Sequence, residues 1–172
     1  TPIHSSAASD VYKRQLNSSL ASQVTLQPMS RFEPDAAILF SDILIVPYGL
    51  GMAVDFVEGR GPVLDAISDS SDIKRLNSEQ YKTRIEATYE TVRLCRDQLS
   101  LDKALIGFAG SPWTVATYMI EGGASKNYAK VKSWAYRDDQ SFNTLIKIVT
   151  RATIDHLSCL LYTSPSPRDN RV

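Results

Sequence analysis

The spacing of apolar residues changes from helical to strand-like in the first third of the chain. Leu16, Leu20 and Val24 recur every four residues, which predicts a helix that Pro28 kinks or ends. Residues 36–46 (AAILFSDILIV) then form an almost unbroken apolar run that becomes β-branched toward its end. Such a run is typical of a strand covered on both faces in a parallel sheet. The pattern therefore predicts a helix followed by a buried strand.

A connection rich in glycine and proline follows at residues 47–70, around a short strand-like stretch, Val54–Val57. Asn77 and Gln80 then form a capping-box pattern, which predicts that a second helix spans residues 79–99. Apolar residues follow at helical spacings: Ile85, Val92, Cys95 and Leu99. Because long structured loops often carry function, the connection is a candidate region in its own right.

The clearest helix boundaries come after a second apolar run, residues 104–109 (ALIGFA), which predicts another short buried strand. Ser111 is a favourable cap residue and Pro112 suits the first helical position, whereas Gly122 and Gly123 suit a helix end. The sequence therefore predicts a helix of about three turns that opens from the carboxyl end of a strand.

Two further helices are predicted in the last third of the chain. One spans residues 125–136, and the other carries apolar positions three and four apart: Phe142, Leu145, Val149, Ala152 and His156. The order helix, strand, helix, strand, helix indicates an α/β fold with a parallel sheet.

Both ends of the chain lack either periodicity. Residues 1–15 and 159–172 contain the strings VYKRQ and LYTSPSPRD, which resemble translated adapter sequence. We expect non-native or disordered tails at both ends and a single domain at residues 16–158.

Composition excludes several classes of function. Of the 172 residues, 43% are hydrophobic and 22% are charged, which is typical of a globular protein with one core. The formal net charge is zero, so no overall field attracts nucleic acid or an anionic membrane. The first residues lack a signal-peptide pattern, and no apolar stretch approaches the roughly 18 residues of a membrane span. We expect a cytoplasmic protein that binds neither nucleic acid nor membrane.

Cysteine and histidine are scarce. Cys95 and Cys159 lie far apart and outside any metal-type spacing, and the only histidines are His4 and His156. These residues favour free thiols over a disulfide, and they leave too few nitrogen ligands for a histidine-based metal site. The chain also shows no Ser/His/Asp triad.

Asp42 is the most informative polar residue, because it interrupts the apolar run at 36–46. A carboxylate there must be paired, hydrogen-bonded or protonated, and each state costs free energy unless a site uses it. The alternative is an aspartate that caps the turn after the strand.

The carboxyl ends of the strands are where parallel α/β folds bind ligands, and both Asp42 and residues 110–123 are expected there. Tyr118 in this segment has a phenol that can donate to or accept from a ligand, or it is an amphipathic core residue. We expect Asp42 and Tyr118 to face the same mouth of the fold.

Three segments resemble the uroporphyrinogen decarboxylase family, in the family's order. Residues 21–47 (ASQVTLQPMSRFEPDAAILFSDILIVP) are similar to the segment built around E-V-T-L-Q-P and F-S-D-I-L. Residues 106–126 (IGFAGSPWTVATYMIEGGASK) are similar to the segment G-F-x-G-x-P-W-T-L-x-x-Y-M-x-E-G-G. The connection GMAVDFVEGRGP at residues 51–62 also resembles its counterpart, and the likeness covers residues 16–158.

The resemblance implies a (β/α)8 barrel of the TIM type, a homodimer, and neither metal nor organic cofactor. It also implies conversion of uroporphyrinogen III to coproporphyrinogen III by loss of four acetate carboxyls. Asp42 matches the family's catalytic, substrate-binding aspartate, and Tyr118 matches its substrate-site tyrosine.

The family pattern extends beyond this chain at both ends. A full barrel needs roughly 250 residues, so the likeness implies about the N-terminal half of a barrel without its first segment. The family's arginine-rich substrate-binding segment would precede Leu16, and its later serine and histidine contacts would follow Ser158. We therefore expect an inactive interior fragment. The alternatives are a related barrel methyltransferase for corrinoid or thiol methyl transfer, with zinc ligands in its later half, and a non-catalytic binding piece.

Overall fold

The computed structural model describes residues 13–57 and 60–163, which form an α/β fold. The helices in this part of the chain are α1 (Ser18–Phe32), α2 (Ile45–Gly49), α3 (Ser70–Ile73), α4 (Tyr81–Arg84), α5 (Glu86–Gln98), α6 (Pro112–Glu121), α7 (Ala129–Arg137) and α8 (Asp139–Thr163). The strands are β1 (Ala36–Ile38), β2 (Val54–Val57), β3 (Gly61–Leu64) and β4 (Ala104–Ile106). Among the helices described, none is long and apolar enough to cross a membrane.

The strands form two small sheets. Strands β1 and β4 pair in parallel, from Ala36 opposite Ala104 to Ile38 opposite Ile106, with helices between them in sequence. Strands β2 and β3 form an antiparallel hairpin. The predicted α/β class and the parallel pairing are confirmed, and β2 lies where the strand-like stretch was predicted. Strand β3 was not predicted, because its Gly-Pro start is typical of a turn.

The prediction of one strand over residues 36–46 is wrong. The strand ends at Ile38, and helix α2 begins at Ile45. The carboxylate of Asp42 accepts a hydrogen bond from the Leu44 N–H at 2.7 Å, which starts a turn where the strand was expected to continue. The end of the run, at Leu44, Ile45 and Val46, is buried, and a buried apolar run does not by itself distinguish strand from helix. The run at 104–109 likewise leaves the strand after Ile106.

The local helix signals agree with the structure in most places. The Ser111 side chain accepts the Thr114 N–H, Pro112 opens α6, and Gly122 closes it in the left-handed region with φ of 77°. The expected helix over 79–99 is present but interrupted at Ile85, where α4 ends and α5 begins.

Two predicted boundaries differ from the observed helices. Pro28 lies inside α1, which continues to Phe32 before Glu33 ends it with φ of 48°. Helix α8 extends to Thr163, five residues beyond Ser158, where the tail was expected to begin. Most of the predicted tails, residues 1–12 and 164–172, lie outside the described residues, so the domain boundaries stay a prediction.

The largest cluster of buried apolar side chains lies where α2, α6 and α8 meet. Its fully buried members include Ile45, Val46, Leu50, Val115, Met119, Leu145 and Val149. Full burial of an aliphatic side chain of this size stabilises the fold by about 1.5–3 kcal/mol. The helices that follow β1 and β4, α2 and α6, are thereby both packed on α8. This packing also fixes the positions of the loops that lead from each strand into its helix.

Candidate functional site

Two loops leave the carboxyl edge of the parallel sheet, and they lie against each other. The first, residues 39–44, follows β1 and is called the Asp42 loop; the second, residues 107–111, follows β4 and is called the Gly110 loop. A Cβ atom on Gly110 would lie 3.1 Å from the Ile43 Cβ and 2.9 Å from the Val115 Cγ2. A side chain at Gly110 would therefore push the two loops apart, since so short a contact cannot be accommodated without movement.

The Asp42 side chain is half-buried, and its Oδ1 atom accepts the Leu44 N–H at 2.7 Å. Burial raises the pKa of this carboxyl above its ordinary value, and the hydrogen bond from Leu44 acts in the opposite direction but is the smaller effect. Within residues 13–57 and 60–163, no ion pair involves Asp42. Asp42 thus makes the turn hydrogen bond of the capping alternative, and its carboxylate is desolvated without a paired cation.

Tyr118 lies on α6, one turn before the helix ends, and its side chain is half-buried. It packs against a small apolar cluster formed by Leu44, Val54 and Leu64. Leu44 is the residue whose N–H is bound by Asp42. The structure therefore brings Asp42 and Tyr118 to the same cluster through Leu44, while the expectation that both face one mouth stays a prediction.

The β2–β3 hairpin is docked on the end of α6 by two glycines. The Leu64 N–H donates to the Gly122 carbonyl at 3.1 Å, and Val63 forms a bridge with Gly123. Gly123 has φ of 153°, and a Cβ there would lie 2.9 Å from the Pro62 carbonyl oxygen. The sequence predicts that this glycine pair ends the helix, but it gives no signal for the second function, which is to let the hairpin backbone approach.

A groove beside β1 is lined by side chains of both loops. Phe40 and Ser41 come from the Asp42 loop and Phe108 from the Gly110 loop, while Thr25 and Pro28 of α1 form the opposite wall. Phe40 and Phe108 are both half-buried. Sequence reasoning assigned none of these residues to the site, because their proximity depends on tertiary packing.

His156 is buried on α8, where its Nδ1 atom lies 3.2 Å from the Tyr89 hydroxyl of α5. Burial lowers the pKa of the imidazole to about 4 and raises that of the Tyr89 phenol. Between Lys13 and Thr163, leaving out residues 58 and 59, no three His, Cys, Asp or Glu side chains are grouped to hold a metal ion.

Comparison with known proteins gives a consistent result. The family model for uroporphyrinogen decarboxylase (URO-D) matches residues 4–163. The chain is 48% identical over 138 residues to a uroporphyrinogen decarboxylase of Rhodospirillum rubrum, covering 80% of this chain and 40% of that protein. It is 46% identical over 143 residues to the Helicobacter pylori protein of the same name, covering 83% of this chain and 42% of that one.

The fold is also similar to that of a methyltransferase from Methanosarcina mazei, with a TM-score of 0.71 over 91% of this chain and 47% of that one. At 16% identity this likeness concerns the fold alone. The chain spans about 40% of the length of the curated relatives it matches. The family match covers nearly all of the chain and the relatives are close, so the chain belongs to the uroporphyrinogen decarboxylase family.

Proposed function

We propose that this chain is part of a uroporphyrinogen decarboxylase, a carboxy-lyase that removes the carboxyl groups of the four acetate side chains of uroporphyrinogen III. The product is coproporphyrinogen III. Family membership and the 46–48% identity to proteins of that name support this reaction. Because the chain spans about 40% of those relatives, the whole activity needs residues beyond those in the printed sequence.

The proposed architecture is about the N-terminal half of a (β/α)8 barrel of the TIM type without its first segment. The parallel pairing of β1 and β4, with helices between them, is the repeating unit of such a barrel. Ile38 and Ile106, which are paired across the two strands, are 63% and 46% exposed, whereas Ala37, whose side chain lies on the other face of the sheet, is buried. In a complete barrel such an apolar face points to the interior, where side chains from the remaining strands cover it.

Asp42 is the proposed catalytic and substrate-binding residue, and the observation that carries this role is its partial burial with no paired cation among the residues that the structure describes. A desolvated carboxylate costs free energy, as its raised pKa indicates. A cation that develops next to it recovers this cost, so the interaction is stronger in the transition state than with a neutral substrate. Loss of such a preorganised partner typically lowers the rate by about 10²–10³-fold.

The chemistry of an acetate on a pyrrole needs such a partner. Protonation of the pyrrole at a ring carbon makes the ring a cation, which accepts the electron pair of the breaking C–C bond as CO₂ leaves. The exocyclic carbon then takes a proton while the ring loses one, so that one proton replaces CO₂ at each acetate. The Asp42 carboxylate is suited to accept the pyrrole N–H bonds and to stabilise the ring cation, and it need not donate the proton itself.

Tyr118 is the proposed second substrate-binding residue. Its ring packs on the Leu44 cluster, which leaves the phenol oxygen as the polar end of an otherwise apolar side chain. The phenol would hydrogen-bond the substrate near Asp42. A homodimer, a cytoplasmic location and the lack of any metal or organic cofactor belong to the proposal as well, and they rest on the family resemblance.

A chimera tests the function. Residues 16–158 replace the matching segment of the Rhodospirillum rubrum protein, and the purified product is incubated with uroporphyrinogen III and assayed for coproporphyrinogen III. We expect turnover near that of the parent protein, and a smaller loss for Tyr118→Phe than for Asp42→Ala. A chimera that is folded and dimeric but yields no coproporphyrinogen would contradict the proposal.

A further inference from the structure

Thr25 of α1 contacts the backbone of the Asp42 loop at the residue where the sheet ends. The Leu39 N–H donates to the Ile106 carbonyl at 2.9 Å, which continues the β1–β4 ladder by one bond. The next amide, that of Phe40, points away from β4, since successive N–H groups of an extended chain alternate in direction. It donates to the Thr25 Oγ1 atom at 2.9 Å, so a side chain takes over where the sheet no longer supplies an acceptor.

The direction of the Thr25 hydroxyl is fixed by its other contacts. It donates its only proton to the Ala21 carbonyl at 2.8 Å, one helical turn earlier. Its lone pairs are thereby left to accept the Phe40 N–H. Thr25 is 3% exposed, so water does not compete for these bonds. A buried N–H left without an acceptor destabilises the conformation that buries it, so the Thr25 hydroxyl helps to hold the start of the loop in place.

We infer that Thr25 is a positioning residue for Asp42. Phe40 precedes the aspartate by two residues, and the Asp42 side chain binds the Leu44 N–H at the other end of the same loop. The loop is therefore fixed at its start by Thr25 and at its end by its own carboxylate. With the start released, the carboxylate gains freedom to move out to water, and the desolvation that suits it to a developing cation is lost. The functional meaning rests on the proposed role of Asp42, whereas the positioning itself does not.

Thr25→Val tests the inference, because valine keeps the shape of threonine and removes the hydroxyl. Two quantities are measured by NMR on the full chain: hydrogen exchange of the Phe40 amide and the pKa of the Asp42 carboxyl. We expect exchange at Phe40 to rise by about tenfold or more, since ~1.4 kcal/mol corresponds to a factor of ten. We expect the pKa of Asp42 to fall toward its ordinary value, because burial is the main cause that raises it. Thr25→Ser, which keeps the hydroxyl, should restore both.

Thr91 offers a matched control. It is 1% exposed on α5, and its hydroxyl donates to the Ala87 carbonyl at 2.7 Å, which is the same bond to the preceding turn that Thr25 makes. Thr91→Val should leave the Phe40 exchange and the Asp42 pKa unchanged. Parent values of both quantities in Thr25→Val, or equal changes in Thr91→Val, would overturn the inference.

If Thr25→Val does not fold, hydrogen exchange of the Phe40 amide in the unmodified chain tests the bond to Thr25. Protection of the Phe40 amide by tenfold or more over the unstructured rate supports the bond to Thr25, and exchange at the unstructured rate rejects it. Neither readout requires turnover. A failure of the proposed function would appear as unimpaired decarboxylation in an Asp42 variant and would leave both NMR quantities as they are.

Discussion

The Asp42 loop is fixed by hydrogen bonds, whereas the Gly110 loop is fixed by close packing. The first is anchored through the Phe40 amide to Thr25 and through the Asp42 carboxylate to Leu44. The second passes so near to Ile43 and Val115 that a Cβ atom at residue 110 would crowd both. Substitutions that remove a hydrogen-bonding group should therefore disturb the Asp42 loop. Substitutions that add side-chain volume should disturb the Gly110 loop, although the two loops touch. The Asp42 carboxylate itself receives its hydrogen bond from within its own loop, from the Leu44 N–H.

The largest expected effect acts on the support that both loops share. Helices α2 and α6, which follow the two loops, pack on α8, where His156 is buried. The imidazole has a pKa of about 4 in the folded chain and 6.5 as its ordinary value. Its contribution to stability is therefore complete above pH 6.5 and is lost as the pH falls toward 4, because the unfolded chain binds the proton first. The free energy of unfolding should fall by up to ~3 kcal/mol over this interval.

Urea unfolding at a series of pH values measures this effect, with His156→Gln as the control that lacks a titrating group. The protection factors of the Phe40 and Gly110 amides, which correct for the pH dependence of intrinsic exchange, should fall together as the pH falls, since both loops lose the same support. A parent chain whose pH dependence matches that of His156→Gln would show that the imidazole remains hydrated.

An added methyl group should show how closely the Gly110 loop is packed. Gly110→Ala places a Cβ 2.9 Å from the buried Val115 side chain, and overpacking of this kind costs about 1–3 kcal/mol. Gly107→Ala in the same loop meets only the end of the Leu160 side chain at 3.2 Å, so its cost should be below ~1 kcal/mol. Urea midpoints of the two variants give the comparison, and equal losses would mean that Gly110 isn't held by packing.

The smallest expected effect concerns the helix cap at the end of the Gly110 loop. Ser111 accepts the Thr114 N–H at 3.2 Å and caps α6. Ser111→Ala should lower the free energy of unfolding by about 1 kcal/mol, and Ser111→Asp, which keeps an acceptor, should recover most of that loss. The Asp42 pKa should be unaffected in Ser111→Ala, which adds no charge. A shift of that pKa in Ser111→Ala would show that the two loops are coupled more tightly than their separate anchors suggest.

The parts of the fold that were predictable from sequence are those whose signals are local. Ser111, Pro112 and Gly122 lie at the two ends of one helix, so cap chemistry alone sets the limits of α6. The strand predicted over residues 36–46 ends at Ile38, because an almost unbroken apolar run lacks the periodicity that separates strand from helix. Tertiary packing decides whether such a run becomes strand or helix, and the sequence pattern carries no information about that packing.

The site shows the same division. Asp42 is recognisable because a charge in an apolar run must have a compensating partner or a use. The bond from Phe40 to Thr25 joins residues fifteen positions apart, on different elements, and a threonine inside a helix is common enough to give no signal. The docking of the hairpin on Gly122 and Gly123 also gives no signal in the sequence, since a glycine pair after a helix is already explained by the end of the helix.

The central claim is that the desolvated carboxylate of Asp42 stabilises charge during decarboxylation. The most direct test compares kcat for coproporphyrinogen formation in the Rhodospirillum rubrum chimera carrying Asp42→Asn with that of Asp35→Asn. Asparagine keeps an oxygen for the Leu44 N–H and removes only the charge, while Asp35 is a fully exposed aspartate before the opposite end of the same strand. We predict that Asp42→Asn lowers kcat by about 10²–10³-fold and that Asp35→Asn leaves it within about twofold. Turnover by Asp42→Asn at the rate of the Asp35→Asn control would contradict the account.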